Sequence, residues 1–362
     1  MKYIINLKPT APYFFGGEVT FGEIGVAESK QNYLVKSNLL PQASTLWGLV
    51  RYEILRQKNY LNYTHEQKEE VKKLIGNTGF HLNRKIGVSY GVIQGISPIF
   101  LKNADKYYTA MPLDEDMPCK KCECKEEGCE CKGYQLKVNT DNPGKSYYSG
   151  KIRDKLVNIE GYDIKNYRNY RFWINNERNI IEAPFSICEQ IGITKNSTEN
   201  SNKEGFFKQK LVALDDDFCF TFILEVSDDA KLENVISNPV YLGGNRSMFM
   251  MSLTLIDDKN KDLEPLFSNL KKKNRKLLLS DAYITKDNFD KFDFVWGNAI
   301  PFRHIITSVD NGHSWTTPKK TEVLYYLLSK GSVIYSSDEV LNLNENTNNK
   351  SCEYKFGLNH TI

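Results

Sequence analysis

The chain has 362 residues, 40% apolar and 26% charged, and its 48 basic and 45 acidic side chains leave a net charge of +3. That composition fits a globular protein of about two domains. It excludes a wholly basic nucleic-acid coat and an acidic solvating tail, but not a basic groove set in a neutral whole.

The first expected strand is 3–8. A turn-prone stretch follows, in which Pro9, Pro12, Gly16, Gly17 and Gly22 alternate with Tyr13, Phe14, Phe15 and Phe21. Pro41 and a capping Ser37 or Ser44 mark a helix start. Leu46, Leu49, Val50 and Ile54 then recur at helical spacing, predicting an amphipathic helix over 44–58. A polar helix over about 65–75 ends at Gly76-Asn77. Residues 84–102 read as strand, turn at 91–95, and strand again, and 107–111 as a further strand. Residues 114–175 lack sustained periodicity and read as a long insertion. A polar loop at 195–205 precedes 206–214 and 218–226, which read as a hairpin. Phe218, Phe220 and Phe222 would form its apolar face. A short helix over about 229–237 leads through Pro239 to Gly243-Gly244 and a strand at 248–256. A helix at 262–272, a strand at 276–284 and a β-rich remainder complete the chain.

This order predicts an α+β protein. Residues 1–257 follow the β-α-β-β-α-β pattern of a ferredoxin-like domain, interrupted by the insertion. Residues 258–362 form a second, smaller unit. No stretch approaches the roughly 18 apolar residues of a membrane helix. The opening residues run into Lys8-Pro9 too soon for a secretion signal, so a cytoplasmic location is expected.

Several segments carry possible chemistry. In Leu242-Gly243-Gly244-Asn245-Arg246-Ser247, two glycines between the expected helix and strand permit close backbone approach. Successive N–H groups there can cradle an anion, and Arg246 adds a fork matched to phosphate. An ordinary turn would use the same residues. In Phe15-Gly16-Gly17-Glu18-Val19-Thr20-Phe21, glycines would let a chain pass while aromatic faces stack on bases, unless those rings are core. Ser44 sits at a helix N-terminus, where phosphate is favoured, with Arg51 two turns in.

Five of the eight Cys cluster as Cys119-x2-Cys122-x-Cys124-x4-Cys129-x-Cys131. Clustered thiols in a protein without an export signal point to structural Zn²⁺, which needs four of the five, the alternative being a redox-exposed loop without metal. Around the cluster, 114–131 holds seven acids against three Lys. By contrast 145–173 holds seven basic residues against three acids, interleaved with Tyr147, Tyr148, Tyr167, Tyr170, Phe172 and Trp173. The opposed halves fit one part turned to nucleic acid and one turned away, and equally a solvated loop. The basic run at 271–276 reads as a solvated helix end. Five scattered His form no catalytic pattern; only His313, in a turn before Ser314-Trp315, is a candidate general acid.

The order of motifs is informative. Phe14-Phe15-Gly16-Gly17 to Phe21-Gly22 comes first, then Leu40-Pro41 to Gly48-Leu49-Val50-Arg51. Ser97-Pro98-Ile99-Phe100-Leu101, Met111-Pro112-Leu113-Asp114 and Ile191-Gly192-Ile193 follow. Leu242-Gly243-Gly244-x-Arg246, Pro318-Lys319 and Lys330-Gly331-Ser332-Val333 close the series. In this order the chain resembles the RAMP superfamily of CRISPR-associated RNA-binding proteins, and within it the crRNA 5′-tag-binding subunits of type III-B Cmr effector complexes. It departs from their pattern at Glu18-Val19, Asn245, Ser247 and Lys330.

The resemblance implies two packed ferredoxin-like (RRM-like) domains and a noncatalytic RNA-binding role. It implies Gly243, Gly244, Asn245, Arg246 and Ser247 on phosphates. Gly16, Gly17 and Phe21 would lie along the RNA, with Ser44 and Arg51 nearby. Implied partners are crRNA, the large polymerase-like subunit and backbone RAMP subunits, with target RNA reached indirectly and no membrane. The alternatives are a RAMP-type repeat-processing endoribonuclease using His313, and a protein scaffold stapled by zinc.

Overall fold

Strict alternation builds β1 (Lys2–Pro9): Tyr3, Ile5 and Leu7 are buried, while Lys2, Ile4 and Asn6 between them are half-buried. The computed structural model describes residues 1–17, 19–21, 33–77, 79–82, 89–115, 137–139, 151–152, 155–156, 158–160, 170–194, 205–256, 262–289, 291–306, 319–320, 323–336, 343 and 352–362. After β1 come β2 (Val19–Phe21), β3 (Tyr33–Lys36), α1 (Ala43–Gln57) and α2 (Lys68–Ile75). The predicted helix at 44–58 is thus present, burying Leu46, Trp47, Leu49, Val50 and Ile54. Its cap differs from expectation. The N-cap is Gln42, with no side-chain cap bond, and Ser44 lies inside the first turn. Ser37 is engaged elsewhere, by the Phe15 amide. α2 stops at Gly76, where φ is +78° and an added Cβ would sit 1.9 Å from the Ser89 carbonyl oxygen, so only glycine fits.

Next are β4 (Ile93–Ile96), β5 (Phe100–Asn103) and β6 (Lys106–Ala110). Between 116 and 169 the described residues are short ribbons: β7 (Lys137–Asn139) pairs with β10 (Asn158–Glu160), and β8 (Lys151–Ile152) with β9 (Lys155–Leu156). The chain rejoins the main sheet at β11 (Phe172–Ile174), where Trp173 faces Ala110 across from β6. The excursion therefore ends before 172, not at 175. β12 (Ile180–Glu182), β13 (Phe185–Thr194), β14 (Gly205–Leu214), β15 (Phe218–Val226), β16 (Val235–Leu242) and β17 (Ser247–Ile256) follow.

Two expectations fail here. The strands at 206–214 and 218–226 exist but are not a hairpin. β14 pairs with β13 over ten residue pairs and runs parallel to β3 in a four-stranded sheet. β15 is instead the central strand of the nine-stranded main sheet, ordered β12-β11-β6-β5-β15-β1-β17-β16 with β4 also on β15. The reason lies between the phenylalanines. Thr221 and Ile223 are buried as fully as Phe220 and Phe222, so both faces must be covered. Nor is there a helix at 229–237. A single 3-10 turn (Asp228–Ala230) leads into β16, an edge strand, where Pro239 is tolerated.

The neighbours β17-β1-β15-β5, all antiparallel, with α1 crossing over after β1, make a ferredoxin-like split β-α-β sheet. The second crossover uses the 3-10 turn and β16 in place of a helix. The protein is α+β and mostly antiparallel sheet.

The remaining elements are β18 (Arg275–Leu277), α3 (Lys286–Phe289), β19 (Phe294–Trp296), β20 (Ala299–Phe302), β21 (Ile305–Ile306), β22 (Lys319–Lys320), β23 (Tyr325–Leu328), β24 (Val333–Tyr335) and α4 (Cys352–Lys355). The expected helix at 262–272 is a 3-10 segment, Glu264–Leu270, and the strand at 276–284 shrinks to β18. One face of the main sheet packs Ile5, Leu7, Phe222 and Phe249 in a common core with the Leu46 and Trp47 side of α1. The other face meets the C-terminal elements, with Phe100 stacked on Phe267 at 4.8 Å.

Charged groups seal that second contact. Arg275, expected as part of a solvated run, is only 2% exposed. It donates to both oxygens of Asp114 at 3.1 Å, to Glu115 at 3.0 Å and to the Leu270 carbonyl at 2.7 Å. Arg178 and Lys272 also pair with Glu115. Burial alone would raise the Glu115 pKa. The Lys272 hydrogen bond and the charges of Lys272, Arg275 and Arg178 outweigh it and hold the pKa below the usual carboxylate range. Nearby, Lys330 is buried, donates to the Ile99 carbonyl and lies 4.4 Å from the Phe100 ring centroid. Burial pushes its ammonium down to about 7, against the upward pull of Asp281 and Glu264.

Candidate nucleic-acid interface

β1 and β17 are antiparallel, so the end of β1 lies at the start of β17, with Pro9 opposite Phe249. The segment after β1 and the turn before β17 therefore meet. Gly243 to Arg246 does not join a helix to a strand, as expected; it closes the β16–β17 hairpin, Leu242 facing Ser247. Gly243 has φ +72°, and a Cβ there would sit 2.3 Å from the Phe14 carbonyl oxygen. Only glycine fits. The Gly244 amide donates to that same carbonyl at 2.8 Å. The Phe14 amide donates to Ser247 Oγ at 2.9 Å, and that hydroxyl donates to the Gly244 carbonyl at 3.0 Å.

The opening loop is held from its other side by the residues before α1. The Phe15 amide donates to Ser37 Oγ at 2.9 Å, Asn38 Nδ2 donates to the Gly16 carbonyl at 2.7 Å, and the Tyr13 hydroxyl donates to the Leu39 carbonyl at 2.7 Å. A Cβ on Gly17 would meet the Lys36 carbonyl at 2.2 Å, so these strands touch through bare backbone. Three sequence segments far apart in the chain thus form one hydrogen-bonded platform.

The predicted residues fall into distinct places on it. Gly16, Gly243 and Arg246 are exposed, and Arg246 takes φ +50° at the turn. Ser247 is buried and its hydroxyl is already engaged in the protein, so it positions the turn. Asn245 belongs to the short 3-10 turn with Gly244 and Arg246. Phe21 pairs with Tyr33 in β2 and β3. Ser44 and Arg51 are seven residues apart in α1, on one face and about 10 Å apart along the axis. Arg51 is half-buried; its Nε has no hydrogen-bond partner, and burial lowers its pKa against the pull of Tyr63. Of the rings offered for stacking, Phe15 is in the core: it stacks on Phe249 at 5.6 Å and touches Tyr13 at 4.7 Å. Cys119, Cys122, Cys124, Cys129 and Cys131, His313 and most of the 145–173 stretch lie outside the described residues.

Asn38 was not singled out by sequence, Ser37 only as a helix cap, and Phe14 only as part of the opening motif. Phe14 contributes a main-chain amide and carbonyl, for which no residue type is diagnostic. No described helix is long and apolar enough to cross a membrane.

A split β-α-β sheet whose Gly-rich hairpin seats on the loop after its first strand makes this an α+β protein with a ferredoxin-like sheet. The model of a CRISPR-associated protein family, Cas_Cmr3, matches residues 5–291. The chain belongs to that family, whose members are RAMP-type subunits of type III-B CRISPR effectors. Among solved structures, it is similar to a chain of the type III-B Cmr-beta complex bound to cognate target RNA. The identity is 15% and the TM-score 0.49, over 100% of this chain and 96% of that one. A second state, bound to target RNA and AMPPnP, gives 12% identity and a TM-score of 0.44 over 96% and 90%. A chain of the Csm3-Csm4 subcomplex of the type III-A interference complex gives 11% and 0.35, over 93% of each chain. No curated protein matches the chain.

Proposed function

We propose that this chain is the noncatalytic crRNA-binding subunit of a type III-B Cmr complex. It holds the repeat-derived 5′ tag and bridges the large polymerase-like subunit to the backbone RAMP subunits, and target RNA is reached only through that assembly. The observation carrying this reading is the platform where the opening loop and the Gly-rich turn hydrogen-bond to each other. Exposed Gly16 and Gly243 leave bare backbone that a phosphodiester can approach, and exposed Arg246 supplies a cation beside it. In this reading Gly17, Phe21, Gly244 and Asn245 continue that track, with Ser44 and Arg51 of α1 nearby. A few such contacts need no large positive surplus, in keeping with a net charge of +3. In this reading the Cys cluster binds a structural Zn²⁺ that knots the insertion.

The test is tag-RNA binding by Arg246→Ala across a salt series. The expected result is weaker binding at every sequence and a log–log salt slope shallower by about one. Unchanged affinity and slope would remove Arg246 from the interface. Short RNAs that copurify with the chain should share one constant 5′ sequence.

A further inference from the structure

Both ring nitrogens of His304 are buried without a hydrogen-bond partner, in a side chain only 2% exposed. A neutral imidazole always carries one N–H and one lone pair, so an orphaned pair calls for an ion or water not yet placed. The surrounding rings do not answer it. Phe302 and Tyr325 lie near-parallel to His304 at 6.2 and 6.0 Å, and Phe80 is 5.5 Å away. They wall the site with apolar surface and offer no acceptor in the ring plane.

The neighbour of matching chemistry is His81, whose ring centroid is 5.2 Å from that of His304, at an interplanar angle of 77°. Two imidazoles that share one tetrahedral ion, with Zn–N bonds of about 2.0–2.1 Å, put their centroids about 5 Å apart. A neutral imidazole nitrogen left without a hydrogen bond offers its lone pair to a metal. His81 is half-exposed, which leaves a side from which an ion and its water ligands can enter. Among the described residues no third His, Cys, Asp or Glu joins the pair, so water completes the coordination. Imidazole nitrogens select Zn²⁺, Ni²⁺ or Cu²⁺ over Mg²⁺ or Ca²⁺.

We propose that His81 and His304 together bind a first-row divalent transition-metal ion, Zn²⁺ being the probe of choice. The proposed site rests on these two His and draws on none of the clustered Cys. His81 lies in the segment after α2 and His304 just after β20, so the ion would clip the first part of the chain to the β20–β23 ribbon.

The full-length chain is brought to equilibrium with zinc by dialysis and its metal content counted, beside His304→Phe and His81→Gln. All three keep the five clustered Cys, so any zinc held there cancels. The wild type should hold one zinc more than either variant, and zinc should raise its melting temperature more than theirs. Equal zinc content in the wild type and His81→Gln overturns the proposal, as does a shift in melting temperature that His81→Gln leaves intact. His81→Gln alters a half-exposed side chain, so the test stands even where His304→Phe fails to fold.

Discussion

The Phe14 amide and the Ser247 hydroxyl are joined by a 2.9 Å hydrogen bond across 233 positions of sequence. Ser247→Ala leaves that buried amide, and one lone pair of the Gly244 carbonyl, without their partner. A loss of about 1–3 kcal/mol is expected in denaturant unfolding. Tag-RNA affinity should fall with it, although Ser247 is not placed to touch RNA. Affinity lost with no change in stability would instead mean that the hydroxyl contacts RNA directly.

Gly243→Ala should be worse than a cap or surface change. The new methyl would collide with the Phe14 carbonyl, in a left-handed backbone that alanine disfavours. Hydrogen exchange should accelerate in both 13–16 and 243–247, while the α1 amides stay protected. Faster exchange in the turn alone would show that the two segments are not one unit.

Arg275→Met leaves Asp114, 0% exposed, without its cationic partner, and takes from Glu115 one partner while Arg178 and Lys272 remain. A loss of about 3–5 kcal/mol is expected. Adding Asp114→Asn should recover part of it, and strict additivity of the two changes would argue against the coupling. Glu115 has its pKa depressed in the folded chain. Its stabilising contribution is therefore present above its unfolded pKa and is lost as pH falls through the folded one.

Lys330 gives the opposite end of the pH scale. Its pKa falls from about 10.4 in an unfolded chain to about 7 in the folded one. Between those values the unfolded chain binds more protons, so stability rises with pH there. The denaturation midpoint of the wild type should climb between pH 7 and pH 9, relative to Lys330→Met. A constant difference between the two chains over that window would show that the buried amine stays charged in the folded chain, as it does in the unfolded one.

Local pattern revealed the elements whose information is local. α1 was readable from Leu46, Leu49, Val50 and Ile54, and the end of α2 from Gly76, because period and cap both reside in neighbouring residues. Pairing was not. The Phe218, Phe220 and Phe222 alternation marks a strand, but only Thr221 and Ile223, buried on the opposite face, tell that it is central. For the interface, the glycines and Arg246 were readable from type and spacing. Their seat on Phe14 was not, because it is made by main-chain atoms common to every residue. Arg51 reads as a phosphate candidate two turns into α1, and the packed structure shows it half-covered, near Tyr63.

β1 lies between β15 and β17 in the finished sheet. Neither neighbour exists until residues 218–226 and 247–256 have been made. At about 5–20 residues per second, synthesis keeps β1 waiting roughly 10–50 s with both hydrogen-bonding edges open. The main sheet is thus assembled late, around its oldest strand. During that interval the nascent chain depends on cover from elsewhere to keep Tyr3, Ile5 and Leu7 from pairing with a wrong partner.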